Sequence, residues 1–563
     1  MGSVPARFPP PWRPGDAVGP PRDADPIEVG VLIVGAGPAG LACAIRLGQL
    51  LAEDPETAKR LGEVPVAVVE KGKQPGSHLL SGAVINPRGL RRLFNGSKRF
   101  DDMPHYGEVA HESVYFLTEQ RAFRIPAPPT MRNHGNYVAS LSQLGRFLGA
   151  EAEAGGATVL AETPAVKLLV ADGRVRGVRT ADRGRGRDGD ELGNFEPGSD
   201  LLARITVLAE GTQGHLTGAA IERFGLQGAS PQVWALGVKE VWKVARPLDR
   251  VIHTMGWPLR SGKRYREFGG SFVYPMGDDL VTLGMVVGLD YRDAELSVHD
   301  VLQQLKTHPR IRKILEGGER LEWGAKTIPE GGFLSLPTRL HAPGLLLCGD
   351  GVGMVNVPAL KGIHYALESG RLAAEAAFKA LQPGESVGRR GALQSYDDSV
   401  RESYIWKDLK RVRNVRPAFS RGFWLGSALA GGAITSFGKL PPRDEQLERD
   451  ADQELITTGR AASYPAPDGK LTFDKLSSVF ASGNRTRDDQ PSHIRIETRV
   501  PRDLAEMWAR LCPAQVYEVG QEDAGKVAVQ VTPSNCIQCG AITAKGGRLT
   551  PPEGGSGPEY TRS

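Results

Sequence analysis

Cysteine is scarce in this sequence: five thiols among 563 residues cannot build a disulfide framework. That scarcity points to a reducing, intracellular compartment and to thiols that are buried or bind metal. Long apolar runs are also missing. No stretch approaches the roughly 20 apolar residues needed to span a bilayer. An excess of one charge is missing as well, with 70 Lys+Arg against 65 Asp+Glu, a formal +5. No nucleic-acid motif accompanies that balance, so nucleic acid is not an expected partner. Residues 1–28 lack the apolar stretch of a secretory signal and the acid-poor character of a transit peptide. That leader is rich in Pro, carries Asp16, Asp23, Asp25 and Glu28, and is expected to be disordered. What the chain has in quantity is Gly, 70 residues, and Pro, 41, which favours a loop-rich, multi-lobed enzyme over a helical bundle.

Order is expected from Val29. The run Val29–Gly30–Val31–Leu32–Ile33–Val34 is continuous and β-branched, as in a parallel strand buried on both faces. It leads into Gly35–Ala36–Gly37–Pro38–Ala39–Gly40 and then into a helical pattern from Leu41 to Leu47. This is G-x-G-x-x-G in its strand–turn–helix setting. Gly35 allows the tight turn, Gly37 lets the backbone approach a pyrophosphate, and Gly40 permits close helix–strand packing. A second strand, Val64 to Val69, ends at Glu70, an acidic residue placed to accept ribose hydroxyls. Its distance from Gly40, about thirty residues where about twenty is usual, requires an extended first helix and connection.

Two later segments favour FAD over a nicotinamide cofactor. Leu208–Ala209–Glu210–Gly211–Thr212 follows the strand Ile205–Thr206–Val207, and the buried run Leu345–Leu346–Leu347–Cys348 ends at Gly349–Asp350–Gly351. A flavin spans its domain and needs a late strand whose end carboxylate, here Asp350, reaches the ribityl chain. There is no second G-x-G-x-x-G, so electrons are not expected from NAD(P)H.

Further segments carry a more specific signal. They include Ser77–His78–Leu79–Leu80–Ser81–Gly82–Ala83, Asn133–His134–Gly135–Asn136–Tyr137, Phe268–Gly269–Gly270–Ser271–Phe272–Val273–Tyr274 and Asn356–Val357–Pro358–Ala359–Leu360–Lys361–Gly362–Ile363–His364. Near the end stand Asp489–Gln490–Pro491–Ser492–His493 and Pro552–Glu553–Gly554–Gly555–Ser556–Gly557–Pro558. In these segments the chain resembles the electron-transfer-flavoprotein:ubiquinone oxidoreductase family, from about Val29 to Tyr560. The resemblance implies an α/β fold (α+β overall) in three parts. A Rossmann-like FAD domain is interleaved with a β-rich quinone domain over residues 29–440, with the quinone part mainly at 215–345. A small ferredoxin-like domain follows at 441–563. It also implies an electron-transfer flavoprotein as donor, a membrane quinone as acceptor, and a place on a membrane facing the reducing side. By that similarity Gly269 and Gly270 lie at the quinone pocket. On their own, two adjacent glycines in a strand mark a bulge or the close approach of a ligand. His78, His134 and His364 are expected to be hydrogen-bonded structural residues rather than catalytic ones.

Arg421 and Lys439 bracket an uncharged segment, residues 422–438, that includes Phe423, Trp424, Leu425 and Phe437. It is too short to span a bilayer and apolar enough to lie in an interface. Arg401, Lys407, Lys410, Arg411, Arg413 and Arg416 precede it and, with Arg421, suit anionic lipid. A monotopic membrane contact is expected.

Cys43 and Cys348 read as small buried hydrophobes. Cys512–Pro513 followed by Cys536–Ile537–Gln538–Cys539 is a ferredoxin-like arrangement of thiolates converging on an iron–sulfur cluster. The family pattern has a fourth cysteine where this chain has Ile542, and residues 540–552 contain no Cys, His, Asp or Glu. A three-iron cluster, a four-iron cluster with solvent or a distant ligand, and no cluster all remain open. Two rival functions stand beside electron transfer to quinone. One is an FAD-dependent prenyl-lipid reductase, which the cysteine-bearing domain disfavours. The other is a membrane-associated flavoprotein whose C-terminal domain is degenerate and cluster-free.

Overall fold

Val31, Leu32 and Ile33 are fully buried because their strand, Ile27–Val34, has parallel neighbours on both sides. The computed structural model describes residues 2–22, 25–95, 98–277, 279–383, 391–436, 438–439 and 446–563. Asp23 of the leader, Phe437 of the apolar segment and the expected boundary at 440–441 lie outside the described residues. Five strands form the parallel centre of a nine-stranded sheet: Thr158–Leu160, Val66–Val69, Ile27–Val34, Asp200–Leu208 and Leu345–Leu347. Helix Pro38–Glu53 packs on the strands Ile27–Val34 and Val66–Val69, and helix Ile363–Ala380 packs on that helix. The two helices approach so closely that a Cβ on Gly370 would stand 1.9 Å from the Ala39 carbonyl oxygen. A short helix, Pro55–Arg60, fills the extended connection before Val66 and accounts for the long spacing to Glu70.

A second, seven-stranded sheet runs in the order Glu319–Pro329, Trp234–Lys243, Leu280–Gly288, Gly269–Pro275, Val251–Gly256, Glu112–Leu117, Ala122–Ile125. Its last two strands come from the N-terminal part of the chain, so the two sheets are interleaved in sequence. The C-terminal segment packs helix Arg502–Leu511 on the antiparallel strands Tyr517–Asp523 and Lys526–Val531. Leu504, Trp508 and the cysteine loop share one hydrophobic core with Leu236, Leu283 and Trp323 of the seven-stranded sheet. The fold is the expected α/β architecture with a small cysteine-bearing domain at its end.

The leader corrects one expectation. Its described residues are docked, not disordered. The Ser3 N–H donates to Asp503 at 2.8 Å, Val18–Gly19 pairs in parallel with Leu168–Leu169, and the Arg548 guanidinium sits 4.4 Å over the Trp12 ring. Pro5 and Ala17 are buried. Composition read the segment as disordered because it has no core of its own. Its apolar side chains and backbone groups are satisfied by surfaces made from residues 165–223 and 450–550, and its prolines lower the entropy cost of docking.

Candidate functional site: a dinucleotide cavity walled by a cysteine loop

The two sheets enclose a cavity of about 370 Å³, within the range of small-molecule sites. Gly35, Gly37, Glu70, Gly211 and Asp350 all line it. Gly35 adopts φ +104°, which only glycine accepts freely, and its N–H donates to the Val69 carbonyl. A Cβ on Gly40 would lie 2.0 Å from the Gly35 carbonyl oxygen, so this glycine sets the helix–turn contact and does not itself line the cavity. Gly37 differs from both. A Cβ there would meet only Leu79 Cδ2, at 3.8 Å, and otherwise open space. The N-terminus of helix Pro38–Glu53 thus presents its backbone to the cavity.

Glu70 fastens the turn. Its carboxylate accepts from the Ala36 N–H at 2.9 Å and the Gly72 N–H at 2.7 Å. The neighbouring Glu210 accepts from the Leu216 and Thr217 N–H groups and so caps the start of helix His215–Arg223. That leaves Gly211, at φ +72°, to turn the chain along the cavity. Burial pushes the Asp350 carboxyl up to about 6. Cys43 and Cys348 are buried, with the Tyr396 hydroxyl 3.3 Å from the Cys348 sulfur.

Gln213, Lys71 and Lys326 line the cavity though no motif marks them, whereas His78 and His364, which also line it, are expected from the sequence to be hydrogen-bonded structural residues. Gln213 presents both amide atoms without a hydrogen-bond partner among the described residues. The His78 ring departs from its expectation: both of its nitrogens are buried without a well-directed hydrogen-bond partner among the described residues, alongside the Ser556 backbone. Burial, reinforced by Lys71 and Lys326, holds His78 well below its usual range, so the ring is neutral. His364 is also held low, at about 3, chiefly by burial. Unpartnered buried polar atoms around a cleft with acidic strand ends are what a bound FAD would satisfy. Glu70 and Asp350 would hold its sugar and ribityl hydroxyls, and the turn at Gly37 its pyrophosphate.

One wall of this cavity is the cysteine loop itself: Gln538, Cys539, Gly540 and Thr543. Lys71 donates to the Gln538 side chain, the Lys326 Nζ donates to the Gln538 carbonyl at 3.1 Å, and the Thr327 N–H to the Cys539 carbonyl at 2.8 Å. Gln538 in turn donates to the Ser556 carbonyl at 2.9 Å. Lys71 could have been suspected from its place after Glu70. Lys326 gives no sequence signal, because a lysine in an amphipathic strand reads as exposed; in the fold, burial lowers it to about 8.

Cys512, Cys536 and Cys539 are all buried; burial raises the Cys536 and Cys539 thiols, with Cys539 and Cys512 adding to the rise at Cys536 and Cys512 to that at Cys539. Backbone amides surround them. The Gln538 N–H donates to the Cys536 sulfur at 3.4 Å, amides of residues 514–516 face Cys512, and that of Ala541 faces Cys539. Such donors suit an anionic cluster. Among the described residues, no three His, Cys, Asp or Glu side chains converge closely enough for a single metal ion. Cluster ligands stand on separate irons and spread further apart.

Gly269 and Gly270 open the strand Gly269–Pro275 and do not line this cavity. A Cβ on Gly269 would stand 2.0 Å from the Val286 carbonyl oxygen, and one on Gly270 2.5 Å from that of Thr254. The glycines therefore permit close strand packing, whatever else they do. Gly270→Ala is expected to lower stability by about 1–3 kcal/mol, as overpacking does. Denaturant titration with FAD bound would show it as a lower midpoint at unchanged slope.

A parallel sheet with a glycine turn, two acidic strand ends and a second sheet closing the cleft defines a dinucleotide-binding oxidoreductase of the FAD type. Among solved structures, a geranylgeranyl bacteriochlorophyll reductase-like protein from Thermoplasma acidophilum has this fold. Its TM-score is 0.53 at 19% identity, covering 77% of this chain and 94% of that one. The family profile described as ETF-QO, ubiquinone-binding, matches residues 234–328. The profile described as electron transfer flavoprotein-ubiquinone oxidoreductase, 4Fe-4S, matches residues 469–561. The mitochondrial electron transfer flavoprotein-ubiquinone oxidoreductase of Arabidopsis thaliana is 40% identical over 95% of this chain and 84% of its own length. The probable enzyme of that name from Acinetobacter baylyi is 38% identical over 96% and 99%. The chain belongs to the electron transfer flavoprotein-ubiquinone oxidoreductase family.

Proposed function

We propose that this chain passes electrons from a reduced electron-transfer flavoprotein to a membrane quinone, using FAD and an iron–sulfur centre. The observation that carries the reading is the shared wall, where the loop bearing Cys536 and Cys539 closes the cavity bounded by Gly37, Glu70 and Asp350. FAD, when bound, supplies the chemistry that joins single-electron donors to a two-electron acceptor. The chain's part is to seat it, to exclude water, and to keep the cysteine loop against it through Lys71, Lys326 and Thr327. The family match makes a prenyl-lipid reductase the weaker reading. Mixing anaerobic, FAD-loaded protein with reduced electron-transfer flavoprotein tests the proposal: the flavin absorbance should bleach, and NADH should leave it unchanged. Bleaching by NADH with indifference to the flavoprotein would refute it.

The quinone is taken from a membrane surface that the chain touches on one side. Helix Phe423–Thr435 is too short to cross a bilayer, and no described helix is long and apolar enough to do so. Trp424 and Leu425 on it are 65% and 55% exposed, and Phe116 packs beside Phe423 and Trp424. Phe123, 49% exposed, projects from the strand paired with that of Phe116. Behind the helix, Ala430 and Ala433 pack on Val412 and Val415. Lys407, Lys410, Arg411 and Arg421, in the segment that precedes it, are exposed. Arg416 leaves the set of expected lipid-facing charges, because it is buried against Glu330 at 2.9 Å and Asp290 at 2.8 Å. Burying a tryptophan removes roughly 150–250 Å² from water, at about 25 cal/mol per Å². Trp424→Ala with Leu425→Ala is therefore expected to weaken vesicle binding by a few kcal/mol at any ionic strength. Lys410→Gln with Arg411→Gln should weaken it only in low salt, where charges are unscreened. Sedimentation with anionic vesicles across a salt series separates the two. Binding that is unaltered in both double variants would place the contact elsewhere.

A further inference from the structure

We infer that the cysteine site builds a three-iron cluster, not the four-iron cluster for which its family profile is named, because Ile542 occupies the place of a fourth ligand. The inference rests on the reading of this domain as cluster-binding. Three thiols are ready for a cluster: Cys512 ends helix Arg502–Leu511, Cys536 follows the turn Pro533–Asn535, and Cys539 precedes a tight turn at Gly540, φ +90°. Each has backbone amides facing its sulfur.

The next turn of chain, Ala541–Ala544, brings a hydrocarbon where a ligand would be needed. Ile542 is 3% exposed and shares the core that holds the three cysteines. It is wedged in place: a Cβ on Gly547 would meet Ile542 Cγ1 at 2.5 Å and Ile496 Cγ2 at 2.8 Å. Among the described residues, the side chains with the largest electrostatic interactions with the sulfurs, besides the cysteines themselves, are the cations Lys71, Lys326 and Lys475 and the phenols Tyr517 and Tyr560. None is a thiolate, imidazole or carboxylate. The lysines are engaged, Lys475 with the Ala509 and Arg510 carbonyls and the other two with Gln538. Solvent is a poor substitute, since Cys512, Cys536 and Cys539 are themselves only 6%, 6% and 8% exposed. A four-iron cube would leave one iron held by sulfide alone against an apolar wall. A cube lacking that corner needs only the three thiolates present.

The test is the iron and sulfide content of the full chain, purified anaerobically with its FAD, together with electron paramagnetic resonance as isolated and after reduction. The expected result is about three irons per FAD and a signal in the oxidised protein, as three cysteine ligands imply. About four irons, silent when oxidised and paramagnetic when reduced, would overturn the inference and leave the cluster reading intact. FAD-replete protein without iron would overturn both. Ile542→Cys is expected to add one iron and abolish the oxidised signal. A soluble, FAD-replete variant that keeps three irons would show that residue 542 does not set the count.

Discussion

Gly37→Asp is expected to yield folded protein that carries almost no FAD. At this position alone in the glycine turn, a side chain has somewhere to go without disturbing the fold, because a Cβ meets only Leu79 Cδ2 at 3.8 Å. That open space is the cavity, and the helix N-terminus behind it is polarised to receive phosphate. A carboxylate there takes the volume of the pyrophosphate and repels its charge. At an effective dielectric of about 20, two unit charges 4 Å apart interact by about 4 kcal/mol, close to a thousandfold in affinity. Gly40→Ala should fail differently, since its Cβ would lie 2.0 Å from the Gly35 carbonyl oxygen and disturb the turn itself. FAD content by absorbance, set against thermal unfolding of the same samples, distinguishes them. Gly37→Asp protein that keeps a full complement of FAD would mean that this turn does not bind it.

Cys536→Ala should remove iron from the chain and slow reduction by the donor flavoprotein while leaving FAD in place. Losing an outer-shell partner already costs roughly 10–100-fold in metal affinity, and losing a direct ligand from a set of three costs more. FAD retention follows from the cavity lining: Cys536 does not line the cavity, whereas Cys539, three residues further along the chain, does. Cys539→Ala is therefore expected to lose iron and to loosen FAD slightly as well. If reduction by the donor is unchanged in Cys512→Ala, Cys536→Ala and Cys539→Ala proteins, electrons enter without this domain.

The glycine turn, Glu70, Gly211 and Asp350 were legible in the sequence because each is a local event at the end of a strand, and each does line the cavity or fasten its turn. The interleaving of the two sheets, expected only from the family resemblance, has no local signature. Residues 112–125 alternate like any hairpin, and nothing in them announces pairing with residues 251–256. The roles of Lys326 and Gln538 have no local signature either. Their role is a contact across 212 or more residues, and a buried lysine carries no periodic pattern to mark it. Composition alone implies a disordered leader, while the order of its described residues depends on surfaces built by distant parts of the chain. Gly269 and Gly270 show the reverse limit. The sequence marked them as unusual, and the structure gives strand packing as one reason.

The central claim is that one chain carries electrons from a flavoprotein donor to quinone. The most direct measurement uses FAD-loaded protein on vesicles containing ubiquinone, with catalytic electron-transfer flavoprotein kept reduced by its own dehydrogenase and substrate. The account predicts quinol formation that requires both the flavoprotein and this chain, and that is lost with Gly37→Asp. Quinol formed at the same rate without the flavoprotein, or none formed by iron- and FAD-replete protein, would contradict it.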